Sequence, residues 1–249
     1  MISVKSQKEI QKMRAAGIIA AEVLELMEEN IVPGVTTAEL DRIAHDYIVT
    51  HNATPSFLNY RGFPGSVCTS VNDVIIHGIP SKHKVIKEGD IVSIDIGVFL
   101  NGYHADCART FGAGKISSEA QRLIDVTKQS FFEGIAHAKQ GERLSNISHA
   151  IQTYVEDNGF SVVRDFVGHG VGSQLHEDPS IPNFGVPCRG PRLYPGMTLA
   201  IEPMVNQGCK EVFVADDGWT TYTRDRKLAA HYENTILITD NEPVILTIK

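Results

Sequence analysis

The chain has 249 residues, of which 42% are hydrophobic and 21% charged, and a formal net charge of -7. This is the composition of a globular protein long enough for one large core or two closely packed halves, and its acidic balance argues against a DNA-binding role. No apolar run is long enough to cross a bilayer, the N-terminus lacks an apolar signal core, and Cys68, Cys107, Cys188 and Cys209 show no paired spacing, so a cytoplasmic protein with reduced thiols and no membrane partner is expected.

Ser6 and Glu9 form a capping box, and Ile10, Met13, Gly17, Ala20, Ala21, Leu24 and Met27 follow at helical spacing. Together they predict a first helix, which Pro33-Gly34 stops. A second box, Thr36 with Glu39, opens a helix to about His51. Strand-like runs follow at 67–71, 74–77, 91–98 and 103–111, with Asn101-Gly102 as a tight hairpin turn. A third box, Ser118 with Gln121, starts a second half, which continues through strand-like runs at 161–166, 197–205, 212–215, 220–223, 233–239 and 244–248. No linker or low-complexity stretch intervenes. The expectation is one α+β domain over residues 1–249, with halves of about 1–115 and 116–249 sharing a sheet system.

The halves echo each other. Gly89-Asp90-Ile91-Val92-Ser93-Ile94-Asp95 and Gly196-Met197-Thr198-Leu199-Ala200-Ile201-Glu202 each join a turn glycine, a strand and a terminal acid, 107 residues apart. The same offset aligns Gly34 with Gly141, and Leu40, Ile43, Tyr47 and Ile48 with Ile147, Ala150, Tyr154 and Val155. Downstream, His104-Ala105-Asp106 answers His231-Tyr232-Glu233 at an offset of 127, so the second hairpin carries a 20-residue insertion. This is the signature of a duplicated helix-plus-antiparallel-hairpin unit, with an inserted loop of the kind that often carries function.

Strand periodicity decides where the acids point. Val92, Ile94 and Ile96 take one face of their strand and Ser93, Asp95 and Gly97 the other; in the second copy Leu199 and Ile201 oppose Ala200 and Glu202. The apolar faces must pack on helices, so Asp95 and Glu202 share the far side, where Asp106 and Glu233 can join them. Four carboxylates in a partly buried space repel one another and are raised in pKa unless cations neutralise them. Two divalent ions supply the required four positive charges, and His169, flanked by glycines in Gly168-His169-Gly170, is a candidate fifth ligand. Such a donor set suits Mn, Fe, Co or Zn without choosing among them, and it makes metal-assisted hydrolysis the natural reaction. His77 and His176, each beside a glycine or near a proline at the end of a strand or loop, are candidate substrate-facing groups.

These motifs together resemble the type I methionine aminopeptidases, in their short bacterial form, over essentially the whole chain. They are Ile-Asp-Ile-Gly at Asp95, Gly-Tyr-His-Ala-Asp-Cys-Ala-Arg-Thr-Phe around Asp106, Gly-His-Gly-Val-Gly at His169, Leu-His-Glu-Asp-Pro at His176, Ala-Ile-Glu-Pro-Met at Glu202 and Tyr-Glu-Asn-Thr at Glu233. The resemblance implies the pita-bread fold shared by creatinase and the aminopeptidases, with two pseudo-symmetric halves packed as one domain. It implies two divalent ions held by Asp95, Asp106, His169, Glu202 and Glu233, with Asp106 and Glu233 bridging. The activity it implies is removal of the initiator methionine, when the second residue is small, by a water that bridges the metals. Glu202 would take that water's proton, and His77 and His176 would contact the scissile amide or its oxyanion. Phe57, Tyr60, Phe63, Cys68, Leu175 and Trp219 would enclose the methionine side chain; Phe57, Phe63 and Leu175 depart from the Cys, Tyr and Phe of the bacterial pattern. A monovalent cation, Na or K, would sit near Asn72 and Val74. The zinc-binding extension of some relatives, the helical insertion of type II enzymes and the N-terminal domain of Xaa-Pro peptidases have no counterpart in this sequence.

Two rival readings stay open at this point: a different aminopeptidase or dipeptidase, and a non-catalytic binding member of the same fold. The expected substrates are polypeptides with an N-terminal Met. Arg224, Arg226 and Lys227 in the insertion read either as a solvated face or as a contact to ribosomal RNA, which would make the ribosome a partner.

Overall fold

The computed structural model describes residues 2–249. Four helices, α1 (Gln7–Asn30), α2 (Thr37–Thr50), α3 (Ser118–Ile135) and α4 (Leu144–Asp157), alternate in pairs with fifteen short to medium strands among these residues. In the first half these are β1 (Thr54–Pro55), β2 (Cys68–Val71), β3 (Val74–Ile76), β4 (Ile91–Leu100) and β5 (Tyr103–Gly112). The second half holds β6 (Ser161–Val162), β7 (Gly168–Gly170), β8 (Glu177–Ile181), β9 (Thr198–Ile201), β10 (Met204–Asn206), β11 (Val212–Val214), β12 (Thr221–Thr223), β13 (Ala229–His231), β14 (Glu233–Leu237) and β15 (Val244–Ile245).

The caps explain the helix starts. The Glu9 carboxylate accepts the Ser6 N–H at 2.7 Å, and the Thr36 hydroxyl accepts the Glu39 N–H at 3.2 Å. The third helix is capped one residue earlier than its sequence pattern predicts. Ser117, not Ser118, accepts the Ala120 N–H at 3.1 Å, because the preceding extended residue supplies the cap geometry. At Gly17 of α1 an added Cβ would lie 2.1 Å from the Leu246 carbonyl oxygen, so glycine there lets the C-terminal segment pack directly on the helix.

One sheet runs β1-β4-β5-β14-β9-β7-β8, with β2 also on β4 and β15 on β14. Its seam is the antiparallel pairing of β5 with β14, where Ala108 faces Glu233 and Cys107 faces Asn234. Each half therefore supplies one side of a continuous sheet, which is what a duplicated hairpin does when the two copies join edge to edge. Val92, Ile94, Ile96 and Val98 pack with Ala20, Leu24, Met27, Leu40 and Ile48 of α1 and α2. Leu199, Ile201 and Ile236 pack with Leu123, Phe131, Ile147 and Ile151 of α3 and α4. Burying a side chain of this size stabilises the fold by about 1.5–3 kcal/mol. The helices thus claim one face and leave the alternating residues of β4, β5, β9 and β14 for the other.

The sequence pattern misplaces several strands. The run 197–205 is two strands, because Pro203 has no N–H to continue the ladder after Glu202. The run 161–166 forms only β6, and β1, β7, β8 and β13 carry too few alternating residues to be seen by periodicity. The insertion folds as the β11–β12 hairpin, which pairs with first-half β3 in a separate three-stranded sheet. No helix among the described residues is long and apolar enough to cross a membrane.

Candidate metal centre and substrate pocket

On the face away from the helices, Asp95 of β4, Asp106 of β5, Glu233 of β14, Glu202 at the end of β9 and His169 of β7 line a cavity of about 200 Å³. The sheet register explains the convergence. Gly97 faces Asp106, Ala108 faces both Asp95 and Glu233, and Ile201, the neighbour of Glu202, faces Asn234. Asp106, His169 and Glu233 present ligand atoms within 4.8 Å of one another, a spacing that could hold a metal ion. His169 Nε2 lies 3.6 Å from Glu202 Oε1 and 3.8 Å from Asp106 Oδ2. Its Nδ1 is 2.9 Å from the Gly170 carbonyl, which fixes Nδ1 as the donor and leaves Nε2 as a free lone pair facing the acids.

The electrostatics are those of a site suited to cations. Burial raises the Asp95 carboxyl to about 7, and it shares a side-chain hydrogen bond with Asp106. Burial, reinforced by the neighbouring carboxylates, pushes Asp106, Glu202 and Glu233 well above the ordinary range. Asp95 Oδ1, Asp106 Oδ1 and Glu233 Oε1 are buried with no hydrogen-bond partner, which in a native interior is costly. Burial lowers His169 to about 3, so its imidazole is neutral. Orphaned acid oxygens around a neutral imidazole fit divalent cations on both charge and donor type.

An apolar pocket adjoins the acids. Phe57, Phe63, Cys68 and Leu175 are buried together, with Tyr60, Ile79 and Trp219 packed against them. Cys68 sits on β2 directly opposite Asp95, so the pocket floor and the acid cluster share a strand pair. The insertion reaches this pocket through its hairpin turn, where Asp217 Oδ1 accepts the N–H groups of Trp219 and Thr220 at 2.8 Å each. Trp219 then packs edge-on against Phe63 at 5.2 Å and His77 at 5.9 Å. His176 lies over His169 at 4.1 Å between ring centres, and its Nδ1 is 3.0 Å from the Tyr60 hydroxyl. Burial lowers His77 to about 4 and also lowers His176, so both rings are neutral near pH 7.

All thirteen side chains singled out by sequence for metal or substrate therefore lie around one cavity, whereas Asn72 and Val74 lie outside its lining. Four residues that sequence reasoning passed over also bear on it. His231 is fully buried, with Nε2 3.9 Å from Glu233 and 4.0 Å from Glu202; its place two residues before Glu233 was a signal by strand alternation. Arg109 crosses the seam: it donates to the Ala108 and Glu233 carbonyls and to Asn234 Oδ1, and its guanidinium stacks 3.9 Å over Tyr232. Lys5 Nζ reaches Glu177 at 2.7 Å, tying the N-terminal segment to the residue after His176. Arg61 lines the cavity mouth. No local pattern marks the last three: Lys5 and Arg109 bind residues distant in sequence, and Arg61 meets the cavity only in the folded chain.

A helix-backed sheet that holds a buried carboxylate–imidazole cluster beside an apolar pocket defines a metal-dependent hydrolase. The chain belongs to metallopeptidase family M24, whose model matches residues 11–240. The family, together with the Asp106, His169 and Glu233 cluster, supports divalent metal use and polypeptide substrates for this chain. The chain is 57% identical to a methionine aminopeptidase of Clostridium acetobutylicum over 248 residues, covering all of this chain and 99% of that one. The crystal structure of a methionine aminopeptidase from Thermotoga maritima superposes with a TM-score of 0.98 at 45% identity, each chain covered completely. An Xaa-Pro dipeptidase from Bacillus anthracis shares the fold at a TM-score of 0.80 and 22% identity, with 62% of its chain covered. The pita-bread expectation is thereby met.

Proposed function

We propose that the protein removes an N-terminal methionine from polypeptides whose second residue is small, acting as a single catalytic domain over residues 1–249. The observation that carries this reading is the juxtaposition of the acid cluster with a closed apolar pocket. Among the described residues lining the cavity, only Arg61 and His176 are exposed, so a chain can enter from one side and present only its terminal residue. A pocket of Phe57, Phe63, Cys68, Leu175 and Trp219 suits an unbranched thioether, whose sulfur packs well against ring edges and a thiol.

Asp95, Asp106, His169, Glu202 and Glu233 would hold two divalent ions, which lower the pKa of a water and polarise the amide carbonyl. Glu202 stands where it can accept the proton of the attacking water and pass it to the leaving amine, its carboxyl held in that corner by the Asn183 amide on its own backbone carbonyl at 2.9 Å. His176, neutral and with Nδ1 engaged by Tyr60, is left with Nε2 to donate to the developing oxyanion when Tyr60 supplies the Nδ1 hydrogen bond from its hydroxyl. His77, wedged between Trp219 and Phe166, borders the same space and can donate to the scissile amide.

The finer partners extend this reading. Cobalt, Mn, Fe and Zn all suit the donor set. For a Na or K ion, the Asn72 carbonyl already accepts the Ala229 N–H at 2.9 Å and offers one remaining lone pair. Of the basic loop, Arg226 is engaged by Asp73 at 3.0 Å and stacks 4.2 Å over Tyr222, which leaves Arg224 and Lys227 as the cations a ribosome would meet in the cytoplasm. Ribosome co-sedimentation that is unchanged after neutralising all three would remove that partner.

The test of the main reading incubates metal-depleted protein, then Mn- or Co-restored protein, with Met-Gly, Leu-Gly and Xaa-Pro peptides. Metal-dependent release of Met from Met-Gly, well above the others, is expected. Metal-independent release, or preference for Xaa-Pro, would overturn it.

A further inference from the structure

The cavity mouth carries a charge that the chemistry above does not use. Arg61 is the one lysine or arginine among the described residues lining the cavity, and it is exposed there beside His176. It forms no ion pair among the described residues; its guanidinium lies 5.4 Å over the Tyr60 ring, and its charge reaches His176. With four acids balanced by two divalent ions, this cation would be the net charge an incoming peptide meets.

The backbone holds it in place. Arg61 adopts a left-handed conformation with φ 49°, between Asn59 at φ 64° and Gly62 at φ 90°. A left-handed arginine is uncommon and persists only where surrounding bonds enforce it. Here they do: the Tyr60 N–H donates to Phe57, Asn59 to Phe63 and Phe63 to Tyr60. These are the backbones of the methionine pocket, so the loop that shapes the pocket also aims Arg61 outward.

A ladder of rings measures the reach. From His169 at the acids, His176 is 4.1 Å away and Tyr60 a further 5.4 Å, and the Arg61 guanidinium lies 5.4 Å over the Tyr60 ring. An extended peptide advances about 3.3 Å per residue. With residue 1 in the pocket and the scissile amide at His176, the residue that draws level with the Tyr60 ring, over which the Arg61 guanidinium lies, is the third.

We propose that Arg61 reads the charge of the substrate's third residue, favouring acidic side chains and disfavouring basic ones. This rests on the aminopeptidase reading and adds a preference to it. The interaction lies far from the scissile bond and is equal in ground and transition states, so it acts on KM and leaves kcat alone.

The test compares Met-Gly-Glu, Met-Gly-Gln and Met-Gly-Lys peptides, extended and amidated at the C-terminus, on metal-loaded wild type, Arg61→Gln and Arg61→Glu. Each rate is normalised to Met-Gly-Gln for the same variant, so a general loss of activity cancels. In wild type kcat/KM should fall from Glu to Lys by about three- to tenfold, as an exposed charge pair supplies, and the spread should shrink in high salt. Arg61→Gln should collapse the spread through KM, and Arg61→Glu should invert it. A ranking identical in all three proteins, or a spread residing in kcat, would overturn the assignment while leaving the aminopeptidase reading intact. Wild type unable to release Met from Met-Gly-Gln would overturn both.

Discussion

The two hairpins that supply the acids differ in what joins their strands. Between β4 and β5 there is only Asn101-Gly102, with φ of 54° and 87°, the left-handed pair that a two-residue turn requires. Between β9 and β14 the chain makes a long excursion that forms β10 to β13 and delivers Trp219 to the cavity. The flanking strands differ as well. On the first side Ser93 faces Ser70 of β2; on the second its counterpart Ala200 faces His169 of β7, so the imidazole occupies the place of a serine hydroxyl that bonds the Gly78 N–H. Duplication thus supplies the carboxylates symmetrically. Divergence of one copy supplies His169, His176 and one wall of the pocket, which gives the site a direction along which a substrate can lie.

The sharpest way to break that comparison is to alter equivalent acids. Glu202→Gln should lower kcat about 10²–10⁴-fold, as loss of a proton-transferring group does, with KM for Met-Gly nearly unchanged. Its first-half equivalent, Asp95→Asn, should act chiefly by weakening metal binding and be partly rescued by excess Mn. Steady-state kinetics against metal concentration separates the two, and equal metal rescue of both would count against unequal roles.

Next in size is the histidine asymmetry. His176→Ala should reduce kcat about 10²–10³-fold, in the range for losing an oxyanion donor. His77→Ala should cost less, because that ring is wedged between Phe166 and Trp219, whereas His176 lies against His169 of the acid cluster. If His77→Ala proved the more damaging, the assignment of donors would have to be exchanged.

Lys5 links the halves, since it precedes α1 yet pairs with Glu177 behind His176; the pair is buried, with side chains 3% and 13% exposed. Lys5→Met should destabilise the protein by about 3 kcal/mol in urea unfolding, the lower end for a broken buried pair, because Glu177 keeps the Gln174 N–H at 3.1 Å. The double variant Lys5→Met with Glu177→Leu should recover most of that loss. No recovery would mean that Lys5 stabilises through packing alone.

The smallest effect is a pH dependence of metal binding. In the metal-free protein burial raises Asp95 to about 7, so below that pH a proton competes with the ion, while His169, lowered to about 3, does not compete. Apparent affinity should therefore rise as pH rises, by about tenfold per unit for each proton displaced, with Asp106, Glu202 and Glu233, also raised by burial, adding to Asp95. Titration of Mn at pH 5.5, 6.5 and 7.5 measures this; an affinity flat over the whole range would contradict the protonated metal-free site.

Much of the site was legible because its parts are local. The turn glycine, alternating strand and terminal acid at Asp95 and Glu202 are each contained in seven residues, and their shared offset reveals the pairing. Where the sequence misled, the chemistry of a single residue was responsible: the 197–205 run breaks at Pro203, which lacks an N–H, and the third cap moves to Ser117, the other of two adjacent serines. In the basic run 224–227 the folded insertion engages Arg226 with Asp73 and Tyr222, partners that no local pattern marks.

Amphipathic periodicity and the repeated Gly-to-acid strand determined by themselves that this chain builds two helix-backed hairpins with carboxylates on the uncovered face. That follows because side-chain direction along a strand is set by residue parity. Which strands meet at the seam, that His169 stands where its first-half counterpart is Ser70, that Arg61 lines the cavity, and that Lys5 and Arg109 bind Glu177 and the Glu233 carbonyl were decided only in the tertiary structure. Those contacts join residues up to 172 positions apart, and pairings over such distances are selected by the packing of the whole sheet on its helices, not by any local pattern.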